Sequence, residues 1–179
     1  YGRESVNTIK KTLNKEHLIN SNIFIFNQGQ ANFIAESHAI AHNQIDCVIL
    51  IANSLEGSKI INEIYKTNQH VAIYSHWSTI GGSFFETSKE ALQNLDLRIF
   101  QTFSFLHNKN AVSTTLREAY LKKYAKTRDR RIVSENAVAQ AYDAINLLAQ
   151  AVKEANSTDG QKIKHALENL HGMQGAIKY

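Results

Sequence analysis

At 179 residues and 20.2 kDa, with 43 % hydrophobic and 20 % charged residues, the chain suits one globular domain or one lobe of a larger one, and its composition excludes a disordered tail. A single cysteine excludes an intrachain disulfide and a multi-thiolate zinc cluster, and no apolar run approaches the roughly 20 residues of a membrane-spanning helix. The formal charge of +4 and pI near 9.1 are only mildly basic.

Val6, Ile9 and Leu13 recur at helical spacing, so about 4–15 is predicted as an amphipathic helix. Ile23-Phe24-Ile25-Phe26 is short, β-branched and aromatic, which predicts a buried strand over 22–27. Phe33, Ser37, Ile40 and Ala41 suggest a second helix. Cys47-Val48-Ile49-Leu50-Ile51 is the clearest buried strand, over 46–52, and places Cys47 inside. Asn53 and Ser54 follow it as N-cap residues, before a helix whose apolar side is Leu55, Ile60, Ile61 and Ile64. Strands are predicted again over 71–74 and 97–103. Between them Gly81-Gly82 breaks the chain, and Thr87 with Glu90 offers a capping box.

This alternation of apolar strands with helices is the pattern of βαβ units, an α/β fold with a Rossmann-like parallel sheet and helices on both faces. Beyond it, Val112, Leu116, Ala119 and Tyr120 mark one helix. Val138, Ala141, Tyr142, Ile145, Leu148, Ala149 and Val152 mark a longer one with the most regular apolar stripe in the chain. Thr158 and Gln161 form a capping-box pattern for a last helix carrying Ile163, Ala166, Leu167 and Leu170. The chain opens Tyr1-Gly2-Arg3 without an initiator methionine and closes on Gly175-Ala176-Ile177, which reads as a strand. Both ends have the look of a fragment, so no signal is expected within it.

Catalytic chemistry finds no support in these residues. His38 and His42 sit four apart and would share a helix face, but no third ligand accompanies them, so no metal is expected. Cys47 among apolar neighbours reads as an inert small hydrophobe. No nucleophile elbow, phosphate-cradling loop or dinucleotide fingerprint occurs. The basic cluster Lys122, Lys123, Lys126, Arg128, Arg130 and Arg131 lacks interleaved aromatics and reads as a solvated helix end, so no nucleic-acid partner is expected. The chain is therefore read as a non-enzyme without cofactor.

Binding has more support. Ligands of open α/β sheets sit beyond the carboxyl ends of the strands, where helix N-termini present free amides. Asn53 and Ser54 follow the second predicted strand, and Ser75-His76-Trp77 the third. Trp77, the only tryptophan, offers a stacking plate with one donor, although closure of the sheet end would use it equally well.

At these residues the sequence resembles the second half of the type 1 periplasmic solute-binding proteins, the branched-chain amino acid receptor type. The resemblance is carried by Tyr1-Gly2-Arg3, Ala31-Asn32-Phe33, Asp46-Cys47-Val48-Ile49-Leu50, Ile73-Tyr74-Ser75-His76-Trp77, Ala141-Tyr142-Asp143-Ala144 and Gly172-Met173-Gln174-Gly175-Ala176-Ile177, in family order. It implies the second lobe of a two-lobed protein over 1–132, and over 133–179 trailing helices and a strand that return to the first lobe. It implies ligand contacts at Tyr1, Asn53, Ser54, Ser75, His76 and Trp77. It also implies extracytoplasmic (periplasmic) binding of a small solute between two lobes for ABC-type import. The nearest alternative is the ligand-sensing domain of a membrane signalling receptor; an α/β enzyme or regulator domain is a more distant one.

Two departures shape the expectation. The family often has an acidic residue near His76 to receive an ammonium group, and a charged histidine cannot do so. The expected ligand therefore moves from ordinary α-amino acids toward an amide, aromatic or carboxylate-bearing solute. The proline that usually precedes the Ala-Tyr-Asp-Ala helix is absent, which predicts a looser crossover. If the fragment stands alone, the stripe of the 134–155 helix is left without a first lobe and predicts a homodimer that buries it.

Overall fold

The apolar runs after Asp46, Val71 and Asp96 pair as a parallel sheet of order β1-β2-β3, comprising Cys47–Leu50, Ala72–His76 and Leu97–Phe100. The structure, a computed structural model, describes residues 2–16, 22–67, 70–124 and 131–177, in two compact units, Tyr1–Phe100 and Gln101–Tyr179. The fold is α/β, a parallel sheet with helices on both sides.

In the first unit α1 (Gly2–Lys15) and α2 (Ile34–His42) precede β1. The helix α3 (Ser54–Thr67) connects β1 to β2. A 3-10 turn (Trp77–Ile80) and the short α4 (Phe84–Thr87) and α5 (Lys89–Asn94) connect β2 to β3. Register puts Val48, Leu50, Ile73, Ser75, Leu97 and Ile99 on one side of the sheet. That side meets Phe33 and Ile40 at α2, Ile60, Ile61 and Ile64 on α3, and Ala91 of α5, forming the core. Its packing is tight enough that a Cβ on Gly57 would lie 2.6 Å from Thr79 Cγ2.

Two expectations fail here. Residues 22–27 form no strand, and Cys47 is exposed rather than buried. A strand exists only where a ladder satisfies its backbone, and no residue of 22–27 pairs with β1, so β1 is an edge among the described residues. Only Phe26 of that run packs into the core, edge-to-face on Phe33 at 5.2 Å, while Ile25 is 70 % exposed. Cys47 lies on the same face as Ile49 and Phe100, which are 52 % and 67 % exposed.

The second unit holds α6 (Ala111–Tyr124), α7 (Glu135–Ala155) and α8 (Gly160–Glu168). Its core joins Phe103, Phe105, Leu121, Ile132, Ala139 and Ala176. The buried side of α7 is not the apolar stripe: Asn136, Ala139, Asp143 and Ala151 are buried, while Tyr142, Ile145 and Leu148 are exposed. The closing residues form no strand among the described residues; instead Ala176 and Ile177 donate their amides to Asp143 Oδ1 and Oδ2 at 2.7 and 2.9 Å. Gly175 permits that approach, since a Cβ there would stand 2.6–2.8 Å from the carboxylate atoms.

Both predicted capping boxes are replaced. Thr87 bonds back to the Ser83 carbonyl at 3.0 Å, leaving Ser88 as a cap without a side-chain bond. The last helix is capped by Asp159, which accepts from the amides of Gln161 and Lys162 at 3.1 Å, one residue after Thr158. A carboxylate accepts two amides where a hydroxyl offers less charge, so the cap moves to it.

Candidate functional site

The carboxyl ends of β1 and β2 bring five of the six candidate residues into one neighbourhood of the first unit. Asn53 is exposed and Ser54 half-buried where α3 begins, and the Asn53 carbonyl accepts from Gly57 N at 2.8 Å as the helix starts. One strand over, His76 ends β2 and caps the 3-10 turn that carries Trp77, both half-buried. Tyr1 lies outside the described residues.

Ser75 is in the same place but faces inward. It is 3 % exposed, and its hydroxyl donates to the Leu50 carbonyl at 2.7 Å and meets Thr79 Oγ1 at 2.7 Å. Thr79 and Ser78 in turn both donate to the Ala52 carbonyl, at 2.9 and 3.1 Å. These hydroxyls tie the turn after β2 to the end of β1, so Ser75 braces the surface rather than presenting a free hydroxyl. Such a network replaces the backbone partners that an irregular turn lacks.

His76 Nδ1 meets Ser78 Oγ at 3.0 Å and receives the Ser78 amide at 3.4 Å. Burial disfavours the imidazolium and holds its pKa below the ordinary 6.5. With the amides of the α3 N-terminus and an indole edge nearby, the surface offers donors and a flat apolar plate. No group of three or more histidine, cysteine, aspartate or glutamate side chains that could hold a metal ion occurs among the described residues.

The sequence reading missed Glu56. It is buried at 3 % exposure in the first turn of α3, and its Oε1 accepts from Gly29 N at 2.8 Å. That bond and its own backbone amide hold the carboxyl below the usual carboxylate range. Its one signal in the sequence was a first-turn carboxylate, which equally describes any solvated helix start. A groove of about 540 Å³ lies elsewhere, in the second unit, lined by Tyr142, Asn146, Ala149, Lys153 and Met173. It follows the exposed side of α7 and involves none of the candidate residues.

No curated protein matches the chain. Among solved structures it is similar to a type 1 periplasmic binding protein from Bordetella pertussis Tohama I, at 22 % identity and TM-score 0.74, over 84 % of this chain and 42 % of that one. It is also similar to the leucine binding protein LivK from Thermotoga maritima MSB8, at 21 % identity and TM-score 0.72, over 86 % and 41 %. The branched-chain amino acid transporter substrate binding protein LivJ from Streptococcus pneumoniae, solved with isoleucine, matches at 21 % identity and TM-score 0.71, over 84 % and 41 %. The chain thus spans about two-fifths of the length of these structures, which share its fold. The profile of the family described as periplasmic binding protein matches residues 1–178, nearly the whole sequence, and the chain belongs to that family.

Proposed function

We propose that the protein binds a small solute at the strand ends of its first unit, with Asn53, Ser54, His76 and Trp77 as contacts and Ser75 as their brace. Tyr1 is proposed as a further contact. The observation that carries this reading is the convergence of a helix N-terminus, an imidazole and the single indole at the carboxyl ends of adjacent parallel strands. Residues 1–132 act as one lobe and 133–179 as the return to another, the solute being trapped as the two close. No catalytic step or cofactor is part of the proposal.

The solute class follows from the charges at the surface. His76 supplies no anion for an ammonium group in either protonation state, whereas amide donors at the start of α3 favour a carboxylate or carbonyl oxygen. An amide or carboxylate-bearing solute with a flat apolar part fits best, and an amino acid is the other member of the class, since two structural relatives are named as amino acid binding proteins. Capture of the solute outside the cytoplasm and its delivery to a membrane transporter for ABC-type import is the biological role proposed. No helix among the described residues is long and apolar enough to cross a membrane.

In the isolated chain we further propose a homodimer through the 134–155 helix, because Tyr142, Ile145 and Leu148 are 38 %, 69 % and 49 % exposed. The test of the binding reading is isothermal titration of the full-length protein with glutamine, benzoate and isoleucine. Trp77→Ala is expected to weaken the binding seen by about 1–3 kcal/mol, the size of one lost aromatic anchor. A folded Trp77→Ala protein with unchanged affinity would return the tryptophan to a purely structural role.

A further inference from the structure

The carboxylate of Glu56 is more than packing of α3 requires. Burying a carboxylate is costly unless hydrogen bonds repay it, and an apolar side chain would fill the same place without that cost. Its bond leaves its own helix and crosses 27 positions of sequence to the amide of Gly29, at 2.8 Å. Gly29 has φ +83, a left-handed turn residue, and the turn closes with Gln30 N donating to the Asn27 carbonyl at 3.1 Å. One turn further along α3, Lys59 Nζ donates to the Gln30 carbonyl at 3.0 Å. Gln30 in turn donates to Glu36 Oε1 and to the Asn32 carbonyl, each at 2.9 Å. The loop without secondary structure is thus bolted at consecutive carbonyl and amide groups to the start of one helix.

That helix start is also the anchor of the other strand-end loops. Gly57, beside Glu56, is the residue on which Thr79 sits, and Ser54 Oγ lies 3.4 Å from where a Cβ on Gly82 would be. The first turn of α3 therefore sets the 27–30, 52–54 and 77–82 segments in one fixed relation.

We infer that Glu56 is a positioning residue of the binding surface: it clamps the 27–30 turn beside Asn53 and Ser54, and makes the exposed amides of Asn27 and Gln28 a further wall that contacts the solute. This rests on the solute-binding reading above. Side-chain amides both donate and accept, so this wall suits the amide or carboxylate solute already inferred.

The test compares wild type, Glu56→Gln, Glu56→Ala and the Asn27→Ala/Gln28→Ala double variant of the full-length protein. Affinities for glutamine, benzoate and isoleucine are measured by calorimetry, and exchange of the Gly29 amide by NMR. Glu56→Gln keeps an oxygen acceptor and is expected to retain Gly29 protection and affinity within about threefold. Glu56→Ala is expected to lose the protection and about tenfold in affinity, the scale of one hydrogen bond to a charged group. The double variant touches only exposed side chains and is expected to weaken binding about tenfold with Gly29 still protected. Unchanged affinity in the double variant overturns the proposal even if Glu56→Ala fails to fold. So does Gly29 protection that survives Glu56→Ala, or loss of that protection with wild-type affinity, and in these cases the solute-binding reading stands. A wild-type protein that binds none of the three probes overturns that reading and this one together.

Discussion

Asp143→Asn is the most incisive single perturbation of the second unit, because it changes hydrogen-bonding pattern with almost no change of volume. The Asp143 side chain is fully buried and accepts the amides of Ala176 and Ile177, one on each oxygen, at 2.7 and 2.9 Å. An asparagine can accept only one of them and must turn an N–H₂ toward the other. One charge-assisted bond, worth about 1.5–3 kcal/mol, is lost, and the other falls to a neutral bond of about 1 kcal/mol. Gly175 leaves no slack for the amide to rotate away, since the carboxylate already stands where a Cβ would be, at 2.6–2.8 Å. The expected loss is about 3 kcal/mol, roughly a hundredfold in the unfolding equilibrium. With a urea m-value near 2 kcal/mol/M, the midpoint should move down by about 1.5 M. Urea titration followed by circular dichroism reads the loss, and amide exchange at Ala176 and Ile177 reads its location. A loss below about 1 kcal/mol, with both amides as protected as in wild type, would show that the carboxylate is not the clamp.

Three further outcomes are expected. Burial lowers the His76 pKa below 6.5, so the unfolded chain binds that proton first; stability is full above pH 6.5 and declines as pH falls below it. Glu56, lowered below 4.5, adds a second decline beneath pH 4.5, and thermal melts of His76→Gln should lack the first decline while keeping the second. Cys47 is accessible yet its thiol is pushed above 9.0 mainly by partial burial, so native maleimide labelling should run to completion more slowly than on a free peptide; a thiol blocked until unfolding would refute the exposed edge. Sedimentation of the isolated chain at micromolar concentration should show a dimer that Leu148→Glu dissociates, and a monomeric wild type would rule out pairing through α7.

The local pattern of residues determined a good deal by itself. Val48 and Leu50, Ile73, and Leu97 with Ile99 announce strands because a buried parallel sheet needs apolar residues in unbroken runs, and the three strands appear there. The helices over Ser54–Thr67 and Glu135–Ala155 follow from 3.6-residue periodicity in the same way. Adjacency of Asn53 and Ser54 to His76 and Trp77 was legible too, because parallel strands place their carboxyl ends side by side.

Pairing and long-range partners were decided only by the tertiary structure. Ile23-Phe24-Ile25-Phe26 has every local property of a strand, but a ladder is a relation between two segments, and this one forms none. Cys47 is exposed because its strand position turns it to the face shared with Ile49 and Phe100, away from the core. Ser75, read as a contact, turns inward because alternate strand residues take opposite faces and the Leu50 carbonyl waits on the inner one. Glu56 and Asp143 look like ordinary helix carboxylates in sequence. Their roles exist only because the chain brings back to them the amides of Gly29 and of the 175–177 turn, 27 and 33 or 34 positions away, which no local rule connects to them.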